Sequence, residues 1–347
     1  MNLLSPRSIL LTNGFAALVD IPGINYRTFR YKECYEMLPQ GLVLGSETAS
    51  TVSSRGIYHF PVEKAFSAIH KDHQSSGYDV EACKWSNIPD VDFALADDYP
   101  WTLGQFVWTG FDYLGEPTPF NADLTILTNF HDEEAKARAE KELKEKGAIA
   151  TPSRSSYFGI IDLAGFPKDR YWLYKSRWSS EPVLHLMPHW NWAGREGKVT
   201  PVQAYTNCAE AELFVNGKSY GRKAKGANEY RFLWDNVVYE PGTVRVVGKT
   251  ADGKTIESAV ATSGSPAKIL MAREYGSGPS TEFGGDCAPA RSRTYSSEDI
   301  VFVDVKVADR DGNMVPTASD KLRFSVTGPG EIVAVDAGDA TCHTPFR

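Results

Sequence analysis

The chain has 347 residues, enough for two or three domains, and 42% of them are hydrophobic, enough for a sizeable core. Net charge is −7 and no basic patch of domain size is present, which argues against nucleic acid as the main partner. No segment is long and apolar enough to span a membrane, and the start, Met1 to Leu11, lacks the basic and apolar regions of a signal peptide.

Residues from about 14 to 180 read as alternating strands and helices. Three apolar stretches each end in polar residues: Val19 to Tyr26, Leu42 to Glu47, and Gly104 to Asp112. Helical stretches are expected at Arg27 to Met37 and at Lys168 to Trp178, the latter opened by Pro167 near its first turn. Such alternation predicts parallel βα units. Tyr26, Glu47 and Trp108 then share one edge of one sheet, at the C-terminal ends of its strands. α/β barrels keep their chemistry there. Glu47 closes the run Leu42-Val43-Leu44-Gly45-Ser46-Glu47. A carboxylate on a rigid strand end can be aimed at a sugar carbon as a nucleophile. Taken alone, the same run also fits an ordinary strand end with a surface glutamate.

Residues His131 to Lys146 (HDEEAKARAEKELKEK) read as a solvated, charged helix inside an insertion at 118–153. Its pairs Glu134–Arg138, Glu140–Lys144 and Glu142–Lys146 have the favourable i,i+4 order. His70 and His73 have the spacing of one helix face and read as solvated histidines rather than metal ligands. The five cysteines are scattered and contain no C-x-x-C pair, so neither a disulfide framework nor a zinc knuckle is expected.

Near Pro182 the pattern changes to short strands with hairpin signals. Ala211 to Val215 precedes Asn216-Gly217, and Thr243 to Val247 precedes Asp252-Gly253. About eighty such residues predict one β-sandwich. Ser263 to Pro266 reads as a linker. A second β unit follows, with strands expected at Asp299 to Asp309, Lys321 to Val326 and Glu331 to Val335, and a turn at Asp311-Gly312.

Several strings resemble glycoside hydrolase family 2, in its β-galactosidase branch. Gly45-Ser46-Glu47-Thr48-Ala49-Ser50 resembles the family's nucleophile motif. Gly104 to Pro117 resembles its last barrel strand and following loop, and Gly23-Ile24-Asn25-Tyr26 an earlier barrel strand. Tyr157 to Asp169 and His189 to Gly194 match the branch as well, so the resemblance covers nearly the whole chain. It implies a partial (β/α)8 TIM barrel followed by two all-β immunoglobulin-like sandwiches, the last one truncated. The expected domains are 1–182, 183–264 and 265–347. It implies a retaining exo-glycosidase acting on β-galactosides, with Glu47 as nucleophile. Tyr26 would hydrogen-bond that carboxylate, and Trp108 would floor the sugar. Asn25 and Asp112 would bind sugar hydroxyls, and Glu116 would line the mouth. No cofactor and no metal ligand are implied, and metal dependence stays open. The expected partner is an oligosaccharide or polysaccharide-end substrate, with homo-oligomers an expectation for the full-length enzyme and periplasmic or extracellular residence implied by the family.

Retention requires a second carboxylate about 5 Å from the first. The family carries it in an Asn-Glu pair upstream of the nucleophile. The residues before Glu47 contain Glu33 and Glu36, both in the helical stretch, and no Asn-Glu pair. The chain is therefore expected to be the C-terminal part of a larger enzyme and inactive alone, because a barrel closes only when all its strands pair. The competing expectation is a carbohydrate-binding or adhesive β-sandwich protein without catalysis.

Overall fold

The computed structural model describes residues 9–120, 132–134, 137, 138, 141, 153–273 and 300–346. Helix α1 (Ile9–Thr12) leads through a 3₁₀ turn to strand β1 (Gly23–Asn25). Helix α2 (Tyr31–Met37) follows, then β2 (Val43–Thr48), the two-residue strands β3 (Ala65–Phe66) and β4 (Glu81–Ala82), helix α3 (Pro89–Asp98) and β5 (Thr102–Val107). β1, β2 and β5 form a parallel sheet with β2 in the centre. Each crossover contains a helix, as parallel neighbours require. Asn25 stands opposite Glu47, and Thr48 opposite Val107, so the three strands end at a common level.

Close strand packing explains a glycine in β2. A Cβ at Gly45 would meet Thr48 Cγ2 at 2.6 Å and the Tyr31 hydroxyl at 2.7 Å. Beneath this sheet α2 buries Tyr31 and Cys34 in a cluster with Leu11, Ala16, Ile24, Leu38 and Val43. The sequence reading of α2 and of the helix near residue 170 agrees with the structure, but α3 was missed. Its signals are present: Pro89 in the first turn, and Asp90 and Asp92 where the helix dipole favours negative charge.

Asp92 is buried, and burial pushes its carboxyl up to about 7, against the opposing hydrogen bond from Asn87. A carboxyl raised above its unfolded value costs nothing below about pH 4. It destabilises increasingly as pH rises towards 7. Asp92→Asn should therefore gain up to about 4 kcal/mol at pH 8 and change little at pH 4, as read from urea unfolding at both pH values.

The segment holding His70 and His73 is not helical. Residues 67–76 are irregular apart from one turn, closed by the His73 amide on the His70 carbonyl; His73 stacks on Phe120 at 5.4 Å and His70 stacks on His59. Within the charged insertion, the Arg138–Glu134 pair is present at 3.7 Å; the Glu140–Lys144 and Glu142–Lys146 pairs lie outside the described residues. The described residues contain no helix long and apolar enough to cross a membrane. Cys34, Cys83, Cys208 and Cys342 carry free thiols; Cys287 lies outside the described residues.

Helix α4 (Asp169–Trp178) joins this part to the β region. It buries Leu173 and Tyr174 with Tyr58, Tyr78, Phe93, Met187 and Tyr205 in one aromatic-rich cluster. Seven strands follow: β6 (Leu184–Met187), β7 (Val202–Thr206), β8 (Glu210–Val215), β9 (Lys218–Ala224), β10 (Arg231–Trp234), β11 (Thr243–Lys249) and β12 (Thr255–Ala261). They form two antiparallel sheets, ordered β10-β7-β6 and β12-β11-β8-β9. β8 and β11 alternate between buried and less buried positions, the pattern of a sheet with one face in a core. Trp190, Leu213, Trp234, Val244 and Val246 meet in that core. The β8–β9 hairpin turns at Asn216-Gly217, both at positive φ (49° and 80°), as the sequence predicts.

β13 (Lys268–Arg273) and β14 (Val303–Ala308) form a further antiparallel pair. The expected turn follows at Asp311-Gly312, where Gly312 has φ 91°. The strands expected at 321–326 and 331–335 do not form: both segments run without a ladder among the described residues. Their alternating apolar residues, such as Phe324, Val326 and Val333, are exposed, and no strand among the described residues pairs with them. The segment after them returns to the α/β part. Arg154 pairs with Asp336 at 2.6 Å, Arg55 donates to the Ala337 carbonyl, and Ala340 packs with Val52, Cys83 and Tyr157.

Candidate active site

The chain after β1 reverses at Tyr26, which adopts φ 62°, a left-handed conformation that a bulky residue rarely takes. Two contacts to one residue hold it there. The Tyr26 amide donates to the Glu47 carbonyl at 2.7 Å, and its hydroxyl donates to Glu47 Oε2 at 2.8 Å. Burial raises the Tyr26 phenol well above its usual value; a Ser50 hydrogen bond opposes this and the Glu47 carboxylate adds to it. Tyr26 thus stays protonated and acts as a fixed donor. Glu47 itself is only partly buried, at the end of the central strand.

Asn25 accepts a hydrogen bond at Oδ1 from the Ser46 hydroxyl at 2.6 Å. Trp108, the residue after β5, joins the same edge through its amide, which donates to the Thr48 carbonyl at 2.9 Å. Its ring meets Tyr113 edge to face at 5.9 Å. Tyr113 in turn donates to Glu116. Burial, with Glu116 beside it, raises the Tyr113 phenol, so it too remains a donor. Burial pushes the nearby Cys83 thiol up to about 12, with Glu116's charge adding, so it stays a neutral thiol. Asn25, Tyr26, Glu47 and Trp108 therefore gather at one end of the sheet, and Glu116 is reached from Trp108 through Tyr113.

Asp112 does not take the place expected for a binder of sugar hydroxyls. It is buried, and its carboxylate accepts from the Ser156 hydroxyl (2.9 Å) and the Gly159 amide (2.7 Å) while pairing with Lys168 at 2.5 Å. Its partners lie inside the protein, and it ties the loop after β5 to residues 156–159. Lys168 also donates to the carbonyls of Ser53 and Tyr157.

The sequence reading also missed the support under the Glu47 loop. Arg170 on α4 is fully buried and donates to the carbonyls of Thr51 (2.5 Å) and Phe158 (3.0 Å) and to the Ser53 hydroxyl (2.9 Å). Its Nε lies 2.7 Å from the buried Asp79 carboxylate, an ion contact rather than an aligned hydrogen bond. A lone Asp or Arg in a strand–helix pattern gives no sign of such a pairing; Arg170 is the charged residue on the buried face of α4, which it shares with Leu173, Tyr174 and Ser176.

Known proteins were compared once this geometry was in hand. Residues 289–347 match the glycoside hydrolase family 2 C-terminal domain 5, and residues 197–257 match a domain of unknown function, DUF4982. The chain is 34% identical over 342 residues to β-galactosidase BoGH2A of Bacteroides ovatus, an alignment covering 96% of this chain and 34% of that protein. The chain belongs to glycoside hydrolase family 2. Other family relatives carry different names. A putative β-glucuronidase of Formosa agariphila is 35% identical over 250 residues, covering 70% of this chain and 20% of that protein. Among solved structures, a β-glycosidase from Bacteroides vulgatus superposes with a TM-score of 0.71 at 25% identity, covering 94% of this chain and 40% of that one. This family 2 chain thus spans about a third or less of the length of these two curated relatives.

Proposed function

We propose that this chain supplies the nucleophile side of a retaining exo-glycoside hydrolase acting on β-galactosides. In this reading β1, β2 and β5 are strands of a (β/α)8 barrel whose other strands, with the acid/base carboxyl group, come from outside these 347 residues. Glu47 attacks the anomeric carbon as the bond to the leaving oxygen breaks, and the acid/base group protonates that oxygen. Water, deprotonated by the same group, then displaces Glu47 and restores the original anomeric configuration. The observation that carries the reading is the hydrogen bond from Tyr26 to Glu47 at the C-terminal end of the parallel sheet. It aims one carboxylate oxygen and leaves the other for attack. Trp108 offers an apolar surface to the sugar, and Asn25 and Glu116 offer polar contacts.

Galactoside is favoured over glucuronide by charge. A uronate would bring a third carboxylate to a mouth that already holds Glu47 and Glu116, and like charges in a partly desolvated site are costly. Arg27, next to Tyr26 in sequence, points its Nη1 to the Trp85 carbonyl at 3.0 Å. The test is a panel of aryl β-glycosides given to the enzyme that contains this chain. Galactoside should be cleaved at least about tenfold faster than glucuronide in kcat/KM, a difference of about 1.4 kcal/mol. A preference for glucuronide would reverse the assignment. Sugar binding without turnover of any glycoside would favour a non-catalytic carbohydrate-binding protein.

Tyr26→Phe removes one fixed donor to the nucleophile and little volume. It should lower kcat about 100-fold while KM changes only a few-fold, comparable to losing one preorganised donor in other enzymes. Steady-state kinetics beside a thermal melt check this. An unchanged kcat would show that Tyr26 is a core residue only.

A further inference from the structure

The sequence reading left His70 and His73 as solvated side chains, yet His70 converges with His59 and Glu81. His59, His70 and Glu81 each bring a ligand atom within 4.8 Å of the other two. The two imidazoles stack at 3.7 Å between centroids and 26° between planes. His70 Nε2 lies 2.7 Å from Glu81 Oε1, and His59 Nε2 lies 2.9 Å from Asp72 Oδ2. Both carboxylates are held from behind: Glu81 Oε2 accepts from the Ser76 amide at 3.1 Å, and Asp72 Oδ1 from the Gln74 amide at 3.1 Å. The His59 backbone amide in turn donates to the Ser76 hydroxyl. These side chains are therefore fixed by the backbone of their own loop.

Hydrogen bonding alone leaves one atom unexplained. When His59 donates Nε2–H to Asp72, its Nδ1 carries a lone pair, and that nitrogen is buried without a hydrogen-bond partner among the described residues. If His59 were instead doubly protonated, Nδ1–H would be a buried donor with no acceptor, and stacking on a protonated His70 would set two cations face to face. A histidine whose one nitrogen donates to a carboxylate while the other offers a free lone pair is the arrangement that orients metal-ligating imidazoles. Two imidazoles and one carboxylate match the donor preference of Zn²⁺, the ion taking the place of the proton shared between His70 and Glu81.

We propose that His59, His70 and Glu81 form a structural Zn²⁺ site, with Asp72 orienting His59, that pins the 59–81 loop beside the segment following Glu47. Glu81 begins that link. Its carbonyl accepts from the Val52 amide, Ala82 bridges Thr51, and the Cys83 amide donates to the Ser50 carbonyl at 3.0 Å. Ser50 lies three residues beyond Glu47. An ion across His59, His70 and Glu81 ties a long surface loop to that ladder, as structural zinc sites do. The inference rests on the side chains alone and stands whether or not Glu47 is a nucleophile.

The experiment uses the purified protein, stripped with EDTA, dialysed, and titrated with Zn²⁺ against a chromophoric chelator at pH 7.5, with melting temperature as a second readout. One equivalent should bind, and the melting temperature should rise on adding zinc and fall again on adding EDTA. His59→Gln and His70→Gln should each weaken zinc binding by at least about 100-fold, since even loss of an outer partner costs about 10–100-fold; Asp72→Asn should fall in that outer range. His73→Gln, which alters a ring stacked on Phe120 outside the trio, should bind zinc as the wild type does. Absence of stoichiometric uptake by the wild-type protein would overturn the site without recourse to any variant, as would wild-type affinity in His59→Gln or His70→Gln.

Discussion

Glu47→Gln is expected to lower kcat for glycoside hydrolysis by about 10⁴-fold or more, with the protein still folded. The substitution keeps the shape of the side chain and an oxygen for the Tyr26 hydroxyl, which lies 2.8 Å from Oε2. It removes the negative charge and the nucleophilic electron pair that forms the glycosyl bond. Stability should change by no more than about 0.5–1 kcal/mol, because Glu47 is only partly buried. Glu47→Ala goes further. It leaves space in which azide can attack the anomeric carbon, and the recovered product should be the glycosyl azide of inverted configuration. An ordinary surface glutamate would give neither effect. Kinetics on an activated aryl glycoside, with product configuration read by NMR, distinguishes the two.

The second large effect is expected far from the sugar. Arg170→Met should cost about 3–5 kcal/mol of unfolding free energy, the usual penalty for breaking a buried ion pair and leaving its partner charged. Both Arg170 and Asp79 are fully buried, and Asp79 would keep only the more distant Arg231, at 3.8 Å. Three further hydrogen bonds vanish with the guanidinium, leaving Thr51 O, Phe158 O and the Ser53 hydroxyl without that donor. Asp79→Asn keeps the volume and should cost less than Arg170→Met. Thr51 and Ser53 lie just beyond Glu47, so the same substitution should also reduce kcat. Denaturant unfolding measures the first effect; a loss under about 1 kcal/mol for Arg170→Met would show that this contact holds nothing in place.

What was legible in the sequence, and what was not, follows from the range of the forces involved. Strand ends at Tyr26, Glu47 and Trp108 could be read because β periodicity and turn residues are local signals, and the parallel pairing brings those ends to one level. The Asn216-Gly217 hairpin was legible for the same reason. Asp112 was misread because its fate depends on Ser156, Gly159 and Lys168, more than forty residues away in sequence. The Arg170–Asp79 contact and the convergence of His59, His70 and Glu81 are likewise products of tertiary packing, invisible to spacing along the chain. The helix reading of His70 and His73 failed on a local point: three turn-forming residues, Asp72, Ser75 and Ser76, lie around them, and Asp72 caps the turn through the Gln74 amide. Expected strands at 321–326 and 331–335 show the converse error, since an alternating pattern makes a strand only where a neighbour supplies the hydrogen bonds.

The most direct test of the account is to trap the intermediate. The enzyme containing this chain is incubated with an activated 2-deoxy-2-fluoro-β-galactoside, digested, and its peptides are mapped by mass spectrometry. The account predicts one fluorogalactosyl group per active site, on the peptide spanning Gly45 to Ser50, esterified to Glu47. An active enzyme whose label sits on a different carboxylate would contradict it.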